Sequence, residues 1–493
     1  MTSTDNPQLS RNLGLIGLAG TGICSMIGAS IYVVPFMIQR NVPGIGPNVV
    51  PAFLFAAIPA ILAAFAYASL ASAMPRAGGS YVFASRGLHP YLGFVASFSQ
   101  WFGLSIVIGV ISYIVVPFLR DIAYQANWMS LGDTLDKPMV RVSLALALLW
   151  SFVWVNIRGL KVYVRALVPL MSLMFILGLI VIITGFSMDQ ESYLNARGLD
   201  ASALSIQKAD PSWNTFLAAA AILFSSFIGF DAIAQAGGEA KNPQKLLPMA
   251  IGIAILGVGI YYFTFTTAVY HAVPWQQVAA EAMKGDITAT GLLMPVVPFV
   301  LGVIITCGAA IALINDLPAM LLSVSRLIFA WSSDGIFPKR LARTHAQRHT
   351  PVNALILSGI MASIGILGSQ FAGDFFLGID IMVLSMLVNF LLMSVTLLAI
   401  GKRNPGLSKD IKVVPNLLVR RLIAASGVLM ISGFLGVHVV KDLTTDVSHW
   451  YFHSTPVWLI VMALGSLIYF WQYRRKKNEG IDLDAKFKKL PEA

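Results

Sequence analysis

Long apolar runs alternate with short polar connections over almost the whole chain. Many of these runs exceed 18 residues, long enough for an α-helix to cross the hydrocarbon core of a bilayer. The pattern predicts an all-α membrane protein with twelve transmembrane helices. They fall at about residues 12–35, 48–74, 91–120, 140–157, 163–186, 214–237, 247–272, 291–331, 352–370, 375–400, 422–440 and 454–472. The eighth region is long enough for one tilted helix preceded by a short one. Residues 1–10 are polar and predicted to be disordered. Pro75-Arg76-Ala77-Gly78-Gly79-Ser80-Tyr81 reads as a turn leading into a short segment that holds Arg86. The stretch 187–213 is polar and carries Asp189, Glu191, Asp200 and Asp210.

Two of the apolar runs contain residues that loosen a helix. The first holds Gly20-Thr21-Gly22-Ile23-Cys24-Ser25-Met26-Ile27-Gly28-Ala29-Ser30. The sixth holds Ser225-Ser226-Phe227-Ile228-Gly229-Phe230-Asp231, followed by Gly237-Gly238-Glu239. Glycine weakens a helix interior, and Ser and Thr offer competing hydrogen bonds. The two stretches lie roughly 200 residues apart, one near the start of each half of the apolar core. Interrupted helices in corresponding positions are the sequence signature of a transporter's binding site. The competing reading is close helix packing through glycine, which is common in membranes.

Composition sharpens this picture. Of the 493 residues 57% are hydrophobic and 12% charged, and the mean hydropathy is +0.76. A soluble globule carries about twice that charged fraction. The net charge of +11 does not point to nucleic acid, because the basic residues fall in alternate connections. They crowd the N-terminus, the 2–3, 4–5, 6–7, 8–9 and 10–11 connections, and the tail at Arg474-Arg475-Lys476-Lys477. The positive-inside rule then puts both termini in the cytoplasm. The first apolar run is too long for a cleaved signal peptide. The two cysteines, Cys24 and Cys307, lie in apolar runs and suggest neither a disulfide nor a metal site. The seven histidines form no His-Glu metal pattern, and Gly20-Thr21-Gly22 lacks the strand and lysine of a nucleotide loop. The reading is therefore a non-enzyme without a cofactor.

Several ordered motifs carry a family resemblance. Gly229-Phe230-Asp231 through Gly238-Glu239-Ala240-Lys241-Asn242-Pro243, then Pro248, resembles the sixth helix and following loop of the amino acid–polyamine–organocation (APC) permeases. The stretch from Pro75 to Tyr81 resembles their second-to-third helix loop. Ser325-Arg326-Leu327, Asp334-Gly335-Ile336-Phe337-Pro338, then His345 and Thr350-Pro351-Val352 resemble the end of their eighth helix and the connection after it. Gly401-Lys402-Arg403-Asn404-Pro405 and Lys412-Val413-Val414-Pro415 resemble the basic loop before helix eleven.

The resemblance covers roughly residues 11–420 and implies a 5+5 inverted-repeat core with helices 1 and 6 broken, plus two C-terminal helices. The organisation is then a cytoplasmic N-terminus (1–10), a first repeat (11–187), an extracellular loop (188–213) and a second repeat (214–400). A cytoplasmic basic loop (401–421), helices 11 and 12 (422–472) and a basic cytoplasmic tail (473–493) complete it. Three departures from the family pattern bear on substrate and coupling. The first break reads Gly28-Ala29-Ser30, with a hydroxyl where a third glycine is usual. Ser225 stands where some relatives carry a gating aromatic, with Phe224 beside it. Met174 stands where proton-coupled relatives often carry a lysine.

A zwitterionic substrate needs partners for its carboxylate and ammonium once water is removed. The free N–H groups that start a half-helix suit the carboxylate, and the carbonyls that end one suit the ammonium. Met26, Ile27, Gly28, Ala29 and Ser30 are the expected lining from helix 1. Ser225, Phe227, Ile228 and Gly229 are the expected lining from helix 6. Phe224, Phe227 and Phe230 serve equally as packing or lipid-facing residues. Asp231 and Asp316 are the candidates for coupling or gating, together with Phe224, Glu239 and Lys241. Asp231 is either a cap for the second half-helix or a proton-linked acid. Asp316, beside Asn315, is either a hydrogen-bonded structural acid or the coupling group. Ser323 and Ser325 are either packing residues or contacts for sodium, a hard cation that oxygen ligands suit. Glu239 and Lys241 read as gate or loop anchors, Arg326 as a residue able to reach the interface, and Asp380 as solvated.

The expected function is secondary active transport of L-amino acids with neutral, including bulky, side chains, taken up across the cytoplasmic membrane by alternating access with a proton or sodium. A polyamine, amine or amino-acid exchanger and a nutrient sensor on a transporter fold are the alternatives. The expected partners are the small-molecule substrate, the coupling ion and the lipid bilayer, not nucleic acid. A monomer suffices, or a homodimer through the late helices.

Overall fold

The computed structural model describes residues 9–28, 30–199, 209, 212–285, 287–372, 376–481 and 486–491, with the side chains of Ser30 and Gln125 outside that set. Ala29, Asp200, Asp210 and most of the N-terminal stretch read as disordered therefore lie outside the described residues. Among the described residues twelve helical spans are long and apolar enough to cross a membrane. They are span 1 (Leu15–Asn41), span 2 (Gly46–Ala73), span 3 (Pro90–Tyr124), span 4 (Pro138–Ile157), span 5 (Leu160–Ser187) and span 6 (Trp213–Gln235). Span 7 (Pro243–Ala272), span 8 (Phe299–Asp334), span 9 (Val352–Ala372), span 10 (Phe376–Arg403), span 11 (Leu417–Thr444) and span 12 (Ser454–Asn478) complete them.

The span boundaries have local causes. Spans 3, 4 and 7 begin on Pro90, Pro138 and Pro243, where the missing N–H costs nothing. Span 8 ends at Gly335, whose φ of 86° few other residues adopt cheaply. Span 11 opens on Asn416, whose side chain accepts from the backbone N–H of Leu418 and Val419. The eighth apolar region divides as expected, with a short helix at Ala289–Leu293 ahead of span 8. The polar connections hold more helix than the pattern showed. Met129–Asp136, Gln190–Arg197 and Trp275–Lys284 are helical, and Arg197 and Glu281 pair at 2.9 Å. Their apolar faces are too short to stand out beside the spans.

The spans divide into inner and outer. In the most apolar window of span 1, 94% of residues are buried, against 22% in span 4. Span 1 packs against spans 5, 7 and 8, and span 3 against spans 8, 9 and 10. Ile176, Leu256, Leu367, Leu429 and Leu464 on the outer spans are exposed, as a lipid-facing surface requires. An even number of crossings puts both termini on one face, called here the terminal face. Connections 2–3, 6–7, 8–9 and 10–11 lie on that face, and the ends of the odd spans lie on the other.

Candidate functional site

The first half of span 1 ends as a helix at Ile27, where Gly28 has φ −31° and ψ −130°, and helix resumes at Ser30. Tyr262 of span 7 donates to the carbonyl of Met26, satisfying one of the acceptors that a helix end leaves free. Span 6 is helical over Trp213–Leu223 and tightens to a 3-10 turn at Phe224–Phe227. Ile228 is extended, and helix returns only at Ala232–Gln235. Gly229 has φ +133°, a conformation L side chains rarely adopt, and a Cβ there would collide with the carbonyl of Ser25. Glycine at 229 thus lets the non-helical stretch of span 6 meet the last helical turn before the interruption of span 1, backbone to backbone.

Asp231 lies beneath this contact. One carboxylate oxygen accepts from the backbone N–H of Gly229 at 3.1 Å, and the other accepts from Gln100 of span 3. The Gln100 carbonyl oxygen in turn accepts from Ser80, Gln235 and Asn389 at 2.5, 3.1 and 3.2 Å. Tyr67 donates to Asn389. This network ties the unwound part of span 6 to spans 2, 3 and 10. Buried polar groups of this kind rigidify a site when they are satisfied.

Beside the contact is a small cavity of about 40 Å³. Ser25, Val33 and Val34 line it from span 1, and Val107, Val110, Ile111 and Ile114 from span 3. Ser225 and Ile228 of span 6, Asp316 and Met320 of span 8, and Ile379 and Met382 of span 10 complete the wall. It adjoins a vestibule of about 500 Å³ on the side of the face opposite the termini, lined there by Arg40, Asp380, His438, Lys441, Asp442 and His453. Val34, Ser225 and Ile379 line both spaces and so stand between them. The inner space has room for water but not for an amino acid, so loading requires its walls to part. Asp316 is buried against Gly28, and its Oδ1 has no hydrogen-bond partner. Ser225 Oγ is likewise buried without one. Two unsatisfied polar groups in a mostly apolar wall are suited to a small polar ligand.

The terminal face is closed. Arg326 Nη2 lies 2.5 Å from Glu239 Oε1, and both side chains are buried. Leu13 and the loop after span 6 bond as a short bridge, Leu13 N–H to the Glu239 carbonyl at 2.9 Å and Lys241 N–H to the Leu13 carbonyl at 2.8 Å.

The expected site residues separate into groups. Ser225, Ile228 and Asp316 line the inner cavity. Met26, Ile27 and Gly28 are buried at the end of the first half-helix, and Gly229 forms the backbone contact. Ala29 lies outside the described residues, as does the Ser30 side chain. Phe227 packs on Phe53 and Tyr262, and Phe224 on Phe390 and Phe434. Ser323 is buried with its hydroxyl unpaired, whereas Ser325 donates to the Leu322 carbonyl and accepts from Arg326. Lys241 is exposed, and its backbone makes the bridge to Leu13. Arg326 does not reach for the interface, because Glu239 holds it inside. Asp380 lies in the wall of the vestibule.

The sequence profile described as amino acid permease matches residues 13–464. The chain belongs to the amino acid permease family, within the APC superfamily. The permease is 26% identical to a methylthioribose transporter of Bacillus subtilis over 490 residues, 96% of this chain and 95% of that one. It is 26% identical to the branched-chain amino acid permease BcaP of the same organism, over 84% of this chain and 86% of that one. It is also 26% identical to cationic amino acid transporter 4 of Mus musculus, over 73% of this chain and 56% of that one. It is thus a multi-pass membrane transporter of the amino acid class and not an enzyme.

Sequence reasoning missed Ser25, one residue ahead of the expected lining, and the whole valine and isoleucine face of span 3. Valines in an apolar helix give no signal of which face meets a cavity. Gln100 was also missed, although a glutamine within an apolar run was signal enough to ask for a buried partner.

Proposed function

We propose that this permease is a secondary active transporter of L-amino acids with neutral, predominantly apolar side chains, working by alternating access between the two faces. The observation that carries this reading is the inner cavity wall, in which Val, Ile and Met outnumber the polar residues and Asp316 is the one charged type. Apolar side chains gain from such a wall, whereas a second cationic group on the substrate would find one carboxylate at most. The non-helical backbone at Gly28 and at Ile228 and Gly229 favours the shared carboxylate and ammonium of amino acids, for which a parting of the walls would release N–H and carbonyl groups. A relative described as a branched-chain amino acid permease agrees with this lining better than the cationic transporters do.

The same features support the remaining parts of the reading. Asp316 favours proton coupling, with Ser323 the remaining candidate for sodium. Asp231, held on both oxygens, serves to shape the break. The vestibule supports an outward-facing orientation, with both termini in the cytoplasm and the protein in the plasma membrane, as the basic connections favour.

Counterflow in liposomes preloaded with single amino acids or amines tests the proposal. Exchange of leucine, valine or methionine is expected to exceed that of lysine or putrescine at least tenfold. Preferred exchange of the amines would give the alternative of an amine transporter, and no exchange at all would favour a sensor.

A further inference from the structure

On the terminal face the last described segment of the chain, residues 486–491, docks across three parts of the gate. Phe487 is buried, and the guanidinium of Arg86 lies 4.9 Å from its ring centroid. Lys486 donates to the carbonyls of Ser333 and Asp334 at 3.2 and 3.0 Å, where span 8 leaves acceptors free. Arg86 donates to the carbonyl of Lys489 at 3.3 Å, Arg76 to that of Pro491 at 2.9 Å, and Asn404 to that of Lys488 at 3.4 Å. Arg86 and Asp334 are themselves a buried pair at 2.6 Å, and Lys486 Nζ stands 3.7 Å from the same carboxylate.

The segment therefore joins the helix Gly79–Gly87 and the turn before it, the end of span 8, and the end of span 10. The turn also touches span 6: Ala77 bridges to Ala236, and a Cβ on Gly237 would press on the Arg76 backbone at 2.7 Å. On the alternating-access reading these are the elements that separate when a path opens on this face. The grip is slight for its reach. Phe487 is its one fully buried side chain, Lys486, Lys488 and Lys489 are exposed, and Asp334 is the acid that the cations share. A contact of this kind can form and break in each cycle, whereas a structural element would bury far more surface.

We propose that residues 486–491 are a latch that holds the terminal-face gate shut and slows its opening. The proposal rests on the alternating-access reading, and it is tested by one measurement that needs no transport and one that does. In a background of Cys24→Ala and Cys307→Ala, Ala236→Cys places a thiol at the buried bridge of the gate. Its labelling rate by a charged maleimide is compared among the full chain, a chain ending before Lys486, and Phe487→Ala. Labelling is expected to rise at least fivefold in both latch variants, and a synthetic peptide of residues 482–493 is expected to reverse the rise in the truncated chain. Exchange of leucine in liposomes is expected to rise at least threefold in the same variants, with KM changed less than twofold. Faster labelling without any exchange in any form would leave the latch standing and remove the transport reading. Unchanged labelling in Phe487→Ala, shown folded by size-exclusion chromatography, would overturn the latch whatever the truncated chain does.

Discussion

The carboxyl of Asp316 fills the space that a side chain at Gly28 would need. A residue from span 8 thus sits directly on the interruption of span 1, and neither position can change size without moving the other. Gly28→Ala is expected to displace Asp316 and weaken substrate binding at least tenfold in a folded protein, because protein interiors do not absorb even a methyl group freely. Gly252→Ala, where nothing lies within 4 Å, is the matched control and is expected to bind as the parent does. Thermal shift with added leucine reads both.

Much of the candidate site was legible because glycine, serine and acid are conspicuous in an apolar run. Gly28, Ser225, Gly229 and Asp316 stood out in that way; Ser225 and Asp316 line the cavity, Gly229 makes the contact beside it, and Gly28 lies against Asp316. The partnerships were not legible. Arg326 is 87 positions from Glu239, and Gln100 is 131 from Asp231. Nothing local in a sequence says that such distant residues touch. The basic tail showed the same limit, since its charge predicted a side of the membrane and gave no sign that Lys486 and Phe487 dock on Asp334 and Arg86.

The Glu239–Arg326 pair gives a prediction about stability. Removing one partner of a buried pair leaves an uncompensated charge, at a cost of about 3–5 kcal/mol. Glu239→Gln is expected to lower the midpoint of thermal unfolding in detergent clearly. The double variant Glu239→Gln with Arg326→Met is expected to recover most of that loss, because it buries no lone charge. A double variant less stable than either single one would mean that the pair contributes more than mutual neutralisation.

Topology is checked by thiol labelling from each side. His345→Cys lies in the 8–9 connection and Lys284→Cys in the 7–8 connection. With both termini inside, intact cells are expected to label residue 284 and to protect residue 345 until they are permeabilised. The reverse pattern would invert the orientation and turn the vestibule toward the cytoplasm.

Ser225, with Val34 and Ile379, stands between the vestibule and the inner cavity. Ser225→Trp narrows both passage and site. Uptake of leucine, methionine and phenylalanine is expected to fall at least tenfold more than uptake of alanine or glycine, since a lost apolar fit is worth about 1–3 kcal/mol. Competition assays against labelled alanine measure it. Equal loss for large and small substrates would make Ser225 a gate position without a sizing role.

Coupling turns on Asp316. Its carboxyl faces the cavity from the middle of span 8, one oxygen has no hydrogen-bond donor, and no ion pair involves it among the described residues. A bare carboxylate is costly in such a place. A proton would relieve that cost, and taking it up on one face and releasing it on the other together with the substrate would link uptake to a pH gradient. Asp231 is the poorer candidate, because Gly229 and Gln100 already engage both of its oxygens. Asp316→Asn keeps the shape and removes the titration. In liposomes it is expected to retain counterflow within about tenfold, the upper end of a single neutral hydrogen bond of about 0.5–1.5 kcal/mol. It is also expected to lose uphill uptake driven by an imposed pH gradient. The same assay is run with and without sodium, and with Ser323→Ala alongside. Uphill uptake that persists in Asp316→Asn would make Asp316 structural. Uptake that requires sodium at every pH and disappears in Ser323→Ala would replace the proton with a cation held on span 8.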